Sequence, residues 1–350
     1  KCYPSCWVLF PMGPANGQVE LGKQSANKSI TDGNGSYSLQ GAQYGLYSDE
    51  QCTQLAQSAT TDESGHATFA SVPTGSEIYP SKGYLLDKQV YPVSVSAGTT
   101  TQVKGSPVDE VPASAPGAAL VQKLDGKTGG VPQGNASLAG AQFTVSYYGN
   151  TIGELSGNPL RTWVFATDEA GIAAYSNSQL VSGDPLFANS RGETVFPLGT
   201  SGITETKAPE GYALTDTSTH VAIVTLENGT AVWKALDGWN NTSAVKDVQG
   251  RGINDEILLG SIRVGKIDHQ LREGVAQGDA TLAGARFQVR NVSDHAVCVD
   301  NVTYAVGEVI SDLELVTDAS GTATSGSVLP YGTYELREVQ PPEGYELNSS

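Results

Sequence analysis

The sequence predicts an all-β chain, built as a tandem row of antiparallel β-sandwich domains. Three observations lead there. First, Gln18-Val19-Glu20-Leu21, Gln142-Phe143-Thr144-Val145-Ser146, Val221-Ala222-Ile223-Val224, Ser261-Ile262-Arg263-Val264 and Arg286-Phe287-Gln288-Val289 alternate or run β-branched, while almost no segment has a helical period. Second, turn clusters separate such runs: Asp32-Gly33-Asn34-Gly35, Glu227-Asn228-Gly229 and Asp318-Ala319-Ser320-Gly321. Short strands at this spacing read as a sandwich. Third, five landmarks recur three times in one order.

Each unit opens with a Lys (Lys23, Lys123, Lys266), and 17 or 18 residues later comes a Gly-Ala pair (Gly41, Gly140, Gly284). Thr-Asp-x-x-Gly follows (Thr61, Thr167, Thr317), then a Pro-x-Gly turn (Pro73, Pro197, Pro330). Last is a Glu six residues ahead of Gly-Tyr: Glu77 before Gly83-Tyr84, Glu205 before Gly211-Tyr212, Glu338 before Gly344-Tyr345. The Lys-to-Lys periods of 100 and 143 residues are far longer than solenoid repeats, so each unit should own a core.

Boundaries follow from this order. Residues 1–16 lack it and read as a leader segment, 17–112 form domain 1, 113–257 a longer domain 2, and 258–350 a domain 3 that stops before its final strand. Pro107 to Pro116 reads as a short stiff linker, and the junction near Leu258-Leu259-Gly260 as a tight one. Glu77 comes two positions after Gly75, against six positions from Gly to Glu in the other units, so either domain 1 is degenerate or residues are missing there; the second reading is preferred.

The chain of 350 residues has 37 Asp plus Glu against 20 Lys plus Arg, a net charge of −17 that repels nucleic acid and anionic lipid. With 41 Gly, 17 Pro and only 16% charged residues, the composition suits turn-rich extracellular β structure better than a cytosolic helical enzyme. No apolar run approaches ~20 residues, so no membrane insertion is expected. Without an initiator Met or signal peptide, Lys1 reads as the start of a processed chain or a fragment. Four cysteines make no disulfide framework: Cys2 and Cys6 are near enough to pair locally, and Cys52 and Cys298 read as packed or free.

These marks resemble the Cna protein B-type domain, also called the SpaA-type isopeptide-forming domain, of Gram-positive surface adhesins and pilins. The resemblance rests on Leu120-Val121-Gln122-Lys123-Leu124-Asp125, Gly140-Ala141-Gln142-Phe143, Thr167-Asp168-Glu169-Ala170-Gly171 and Ile203-Thr204-Glu205-Thr206-Lys207-Ala208-Pro209-Glu210-Gly211-Tyr212. It is repeated in Val264-Gly265-Lys266-Ile267-Asp268, Gly284-Ala285, Leu329-Pro330-Tyr331-Gly332-Thr333-Tyr334 and the run from Glu338. It implies immunoglobulin-like, prealbumin-like sandwiches in which a first-strand Lys bonds covalently to a last-strand Asn or Asp, promoted by the buried Glu before Gly-Tyr.

The physics agrees with that expectation. A nucleophilic Lys must be neutral, and deprotonation at pH 7 costs ~4–5 kcal/mol. Burial beside Leu120 and Val121 lowers a Lys pKa by up to ~3–5 units and raises that of a Glu, which can then polarise the acceptor carbonyl and shuttle protons. By this resemblance Glu205, Glu338 and Glu77 are the promoting residues and Lys123, Lys266 and Lys23 the nucleophiles. In domain 2 the acceptor lies in Ile253-Asn254-Asp255-Glu256: Asn254 is the natural amide acceptor, and Asp255 is also allowed by spacing. In domain 3 the acceptor strand is expected beyond Ser350, Asn348 being too close to the Glu element. In domain 1 the acceptor position holds Glu110, neither Asn nor Asp, and neighbouring Asp109 is the alternative.

The resemblance further implies a cell wall-anchored extracellular stalk or pilin that modifies itself without turnover. Its partners would be a host or neighbouring-cell surface ligand, protein or glycan, and other pilin subunits joined by sortase. Ile78-Tyr79-Pro80-Ser81-Lys82 is similar to a Tyr-Pro-x-Lys pilin motif but overlaps the Glu element, and no Leu-Pro-x-Thr-Gly signal occurs. The second reading is a binding module, with Trp163, Trp233, Trp239 and Tyr147-Tyr148 offering stacking surfaces for sugars, although core packing is their default role. Asp32-Gly33-Asn34-Gly35-Ser36 starts like a calcium loop, but Tyr37 stands where its Gly is needed, so it reads as a turn. The four His share no metal spacing, and neither metal nor cofactor is expected. No Gly-x-Ser-x-Gly, Walker or dinucleotide fingerprint appears.

Overall fold

The computed structural model describes residues 17–47, 51–70, 74–96, 98–103, 105–236, 239, 248 and 250–347, with the backbone alone for 70 and 74–79. Cys2, Cys6 and Asn348 lie outside the described residues. The alternating runs form strands as expected, and three sandwiches follow one another along the chain. Among the described residues no helix is long and apolar enough to cross a membrane.

In domain 2 the strand Ala119–Asp125 lies between Ile172–Ala174 and Gly252–Ile257, with Tyr212–Ala213 on the outer edge. The facing sheet has six strands, ordered Leu180–Gly183, Arg161–Ala166, Gln142–Tyr148, Gly199–Lys207, Thr219–Glu227 and Thr230–Ala235. Inward residues of both sheets (Leu120, Phe143, Val145, Trp163, Phe165, Ile203, Ile253) are fully buried, each worth about 1.5–3 kcal/mol in apolar burial.

Domain 1 repeats this plan. Gln18–Ser25 pairs with His66–Ala70, and the facing sheet centres on Gln43–Tyr47 between Leu55–Thr60 and Thr74–Tyr79. In domain 3, Arg263–Gly265 pairs with Thr322–Thr324 opposite a sheet ordered Val309–Val316, Arg286–Asn291, Tyr334–Gln340.

Two details depart from the sequence reading. The sandwiches are antiparallel except along the opening strand, which runs parallel to the closing segments: Gln18–Ser25 with Thr100–Gln102 and Val108–Glu110, and Ala119–Asp125 with Gly252–Ile257. Nothing in the alternation of either strand encodes the direction of its neighbour. Pro107 to Pro116 is also no linker. Val108–Glu110 closes domain 1, and Ser114–Pro116 pairs with Val195–Pro197 in domain 2, so the prolines sit at strand ends and edges. The six residues of Thr74–Tyr79 replace the nine of Gly199–Lys207, so the short lead-in of domain 1 becomes a shorter strand.

The domains are joined by shared interiors. Ile30, Tyr37 and Tyr84 of domain 1 belong to the same buried cluster as the domain 2 core. The Tyr37 hydroxyl donates to the Ala113 carbonyl (2.6 Å) and accepts from the Leu198 amide (2.9 Å). Asn34, buried in the turn Asp32-Gly33-Asn34-Gly35, donates to the Tyr147 hydroxyl (2.7 Å). Between domains 2 and 3, the fully buried Gln133 donates to Asp125 and accepts from the Cys298 amide (2.8 Å). Tyr331 of domain 3 donates to Glu210 (2.7 Å), beside the turn that carries Gly211.

Candidate functional site

The Thr-Asp-x-x-Gly turn and the Glu of domain 2 converge on Lys123. Its backbone amide donates to the Gly171 carbonyl (2.7 Å), and Gly171 sits at φ +74° with its α-carbon against Lys123. A β-carbon there would come within 2.5 Å of the Lys123 carbonyl oxygen, which explains the Gly of Thr-Asp-x-x-Gly. Thr167 ties the same turn to the Gly-Ala pair. Its hydroxyl donates to the Leu138 carbonyl (2.6 Å) and accepts from the Ala141 amide (3.0 Å). The same clasp recurs as Thr61 with Ala42 and Thr317 with Ala285.

Glu205 reaches Lys123 from the opposite sheet. In its pairing with Gln142–Tyr148, Phe143 faces Glu205 and Gln142 faces Lys207, so Thr206 is an extra residue and the ladder bulges directly after the Glu. The bulge recurs in the same place in the other domains, with Tyr44 facing Glu77 and Phe287 facing Glu338. A bulge re-aims the side chain beside it. Here Glu205 turns inward while Thr206 and Lys207 are exposed.

The third group is Asp255. The parallel pairing sets Lys123 beside Ile253, Leu124 beside Asn254 and Asp125 beside Asp255. Ile253 and Asp255 share the buried face, whereas Asn254 points away, its side-chain amide near Gly126. Lys123 Nζ therefore lies 2.6 Å from Glu205 Oε2 and 2.9 Å from Asp255 Oδ2, with all three side chains sealed from solvent. The expectation that Asn254 faces the lysine is corrected. Alternation along the strand gives that place to Asp255.

The electrostatics are set by burial. Desolvation, the largest influence, together with the Asp255 carboxylate, pushes the Glu205 carboxyl up to about 8 against the pull of Lys123. Glu205 is thus largely protonated at neutral pH and can donate a hydrogen bond. Asp255 Oδ1 accepts from the Thr215 amide (3.3 Å) and hydroxyl (3.1 Å), leaving Oδ2 toward the amine.

The Tyr of Gly-Tyr closes the site from outside. Gly211 turns the chain at φ +85°, and the Tyr212 hydroxyl donates to Asp125 Oδ2 (2.8 Å), which also accepts from Gln133 (3.0 Å). Domain 3 repeats the contact with Tyr345 donating to Asp268 (2.9 Å) and Gln277 in the place of Gln133. This Lys-x-Asp to Gly-Tyr tie was invisible as a contact in the sequence, although both halves of it were repeated there.

The other two lysines have different surroundings. Lys266 Nζ lies 2.8 Å from Glu338 Oε1, partly exposed, and among the described residues no strand runs parallel to Arg263–Gly265. Lys23 Nζ lies 2.9 Å from Glu110 Oε2, both side chains fully buried. Asp109 is exposed and accepts from Gln24 (2.7 Å), so the alternative acceptor named from sequence does not reach Lys23. The Glu77 side chain lies outside the described residues. Lys82, of the sortase-like motif, donates to the Gly35 carbonyl (2.8 Å). Among the described residues no group of His, Cys, Asp and Glu could hold a metal. Cys52 and Cys298 are free, as expected.

The family model for the SpaA prealbumin-like fold domain matches residues 24–107, 122–237 and 260–350. The chain belongs to this family. No curated protein matches it in sequence. Among solved structures, the Bacillus anthracis TIE protein is similar at a TM-score of 0.50 and 22% identity, over 95% of this chain and 47% of that one. The likeness is one of fold, and this chain spans about half the length of that relative. BcpA, the major pilin subunit of Bacillus cereus, aligns at 14% identity and a TM-score of 0.32, covering 93% of this chain and 89% of that one. A C-terminal fragment of the pilus adhesin SpaC from Lactobacillus rhamnosus GG gives 16% and 0.33, over 69% and 96%.

The three SpaA domains also settle where the aromatic residues lie. Trp163 and Tyr147 are fully buried, Trp233 packs at a tilt against Phe196 with ring centroids 4.6 Å apart, and Trp239 packs on His220. Core packing, their default role, is what the fold gives Trp163 and Tyr147, and neither can stack on an external sugar.

Proposed function

We propose that this chain is a stalk segment of a Gram-positive surface adhesin or pilus, stiffened by a self-formed amide between Lys123 and Asp255. The observation that carries the reading is the sealed cluster of one amine and two carboxyls linking first strand, last strand and opposite sheet. An unreacted buried cluster of this kind is costly to desolvate, and a covalent bond removes the charges.

The residues divide the work. Asp255 takes a proton from the Lys123 ammonium, and the amine so formed attacks the Asp255 side-chain carbon. Protonated Glu205 donates to the Asp255 carboxyl as the amine adds. Thr215 donates to Oδ1, the oxygen that gains negative charge and stays as the amide carbonyl while Oδ2 takes the lysine protons. One oxygen of Asp255 leaves as water with protons from the lysine nitrogen, and the C–N bond remains. Glu205 returns to its starting state, so the event happens once per molecule and nothing turns over.

Membership of the family supports a place outside the cell, anchored to the wall, with other pilin subunits or a host surface ligand as partners. The test is the intact mass of the folded chain. It should be low by about 18 Da for each Lys–Asp bond, the mass of one water lost in acyl transfer. Glu205→Ala should restore the domain 2 contribution, and an unshifted mass in the parent chain would sink the reading.

A further inference from the structure

We infer that domain 1 carries its own crosslink of a different kind, a γ-glutamyl amide between Lys23 and Glu110 whose formation is assisted by the Tyr44 hydroxyl. The inference rests on the chemistry proposed for domain 2 but concerns other residues. Its first support is register. Lys23 pairs with Val108 and Ser25 with Glu110, as Lys123 pairs with Ile253 and Asp125 with Asp255. Glu110 therefore holds the same place relative to Lys23 that Asp255 holds relative to Lys123, on the buried face of its strand.

The second support is how each acceptor carboxyl is held. In domain 2 one oxygen of Asp255 is bound by a hydroxyl, that of Thr215, and the other faces the amine. In domain 1 Glu110 Oε1 accepts from the Tyr44 hydroxyl (3.2 Å), and Oε2 faces Lys23 Nζ at 2.9 Å. Tyr44 stands where domains 2 and 3 have Phe143 and Phe287, each opposite the strand glutamate. Of the two domains whose closing strand is described, the one with the longer acceptor is thus the one with a hydroxyl at this place.

The third support is Ser81, in the place of Pro209. Its buried hydroxyl lies 3.2 Å from Lys23 Nζ and donates to the Leu39 carbonyl, steering the amine without adding charge. Three departures from the domain 2 pattern, at Glu110, Tyr44 and Ser81, meet around one lysine.

The step balances within the pair. The Lys23 ammonium gives one proton to Glu110 Oε2, and the neutral amine adds to the Glu110 side-chain carbon while Tyr44 donates to Oε1. A second proton passes from nitrogen to Oε2, the C–Oε2 bond breaks, and water leaves. Nζ keeps one hydrogen as the amide, and nothing is oxidised or reduced.

The experiment is protease digestion of the folded, then denatured, full chain with mass spectrometry of joined peptides. The expected result is a peptide pair linked through Lys23 and Glu110 and short of one water. Glu110→Gln should give the same pair short of one ammonia instead, a conservative change that keeps the shape of the site. Lys23→Met should remove this pair and leave the Lys123–Asp255 pair intact. Tyr44→Phe, checked for folding by circular dichroism, should lower the joined fraction several-fold at a fixed time after refolding. Unlinked Lys23 and Glu110 peptides in both the parent and Glu110→Gln, or a link through Asp109, would overturn the inference. An unaffected Tyr44→Phe would overturn the role given to the hydroxyl. Loss of the Lys123–Asp255 pair alone would count against the domain 2 reading and leave this one standing.

Discussion

Burial pushes the Glu205 carboxyl in the domain 2 cluster up to about 8, so it is largely protonated at neutral pH. Two consequences follow from the sign. Until the bond forms, the folded chain keeps a proton on Glu205 between pH ~4.5 and ~8 that the unfolded chain has released. In a bond-deficient Asp255→Ala variant the push from Asp255 is gone but burial, the largest cause, still raises the Glu205 carboxyl, so stability should fall as pH rises above ~4.5, as thermal melts at several pH values would show. The rate of bond formation on refolding the parent should also decline above pH ~8, where Glu205 loses the proton it donates. Lys123 and Glu205 were legible as a pair because the repeat marks both. The choice between Asn254 and Asp255 was not, since it turns on which face of one strand points inward. An Asn254→Ala change should leave the joined fraction unaltered, whereas Asp255→Asn should replace the loss of water by loss of ammonia.

At the scale of elements, the repeated sequence marks are the contacts that hold the opening strand. The Gly of Thr-Asp-x-x-Gly abuts the lysine backbone, the Thr clasps the Gly-Ala pair, and the Tyr after Gly211 ties down Asp125. Tyr212→Phe removes a hydrogen bond to a buried carboxylate. It should cost about 1.5–3 kcal/mol in chemical denaturation of the bond-deficient chain. Strands and turns could be read because alternation and glycine placement are local signals. The parallel pairing of first and last strands could not, because it joins segments about 130 residues apart. The bulge after each Glu escaped as well, for it is a property of two strands in register and not of either alone. The resemblance to a known family supplied what periodicity lacked, namely that the lysine and the closing strand meet.

Over the whole molecule, the three domains are joined by buried polar contacts more than by linkers, which the proline-rich junction concealed. Asn34 is buried between domains 1 and 2, where it meets Tyr147 and the Leu198 carbonyl. Asn34→Ala should increase bending at that junction, seen as a broader distribution of distances in small-angle X-ray scattering. Under tension, a bond from Lys123 to Asp255 closes a loop of about 130 residues, worth ~4–5 kcal/mol if it acts like a disulfide of that span. Pulled between its ends in a single-molecule experiment, the parent should show domain 2 locked, and Asp255→Ala should release its extension. The most direct test of the account is sequencing by tandem mass spectrometry of the joined peptide from domain 2. It should contain Lys123 linked to Asp255 with one water lost. Separate peptides of unshifted mass, or a link through Asn254 with ammonia lost, would contradict it.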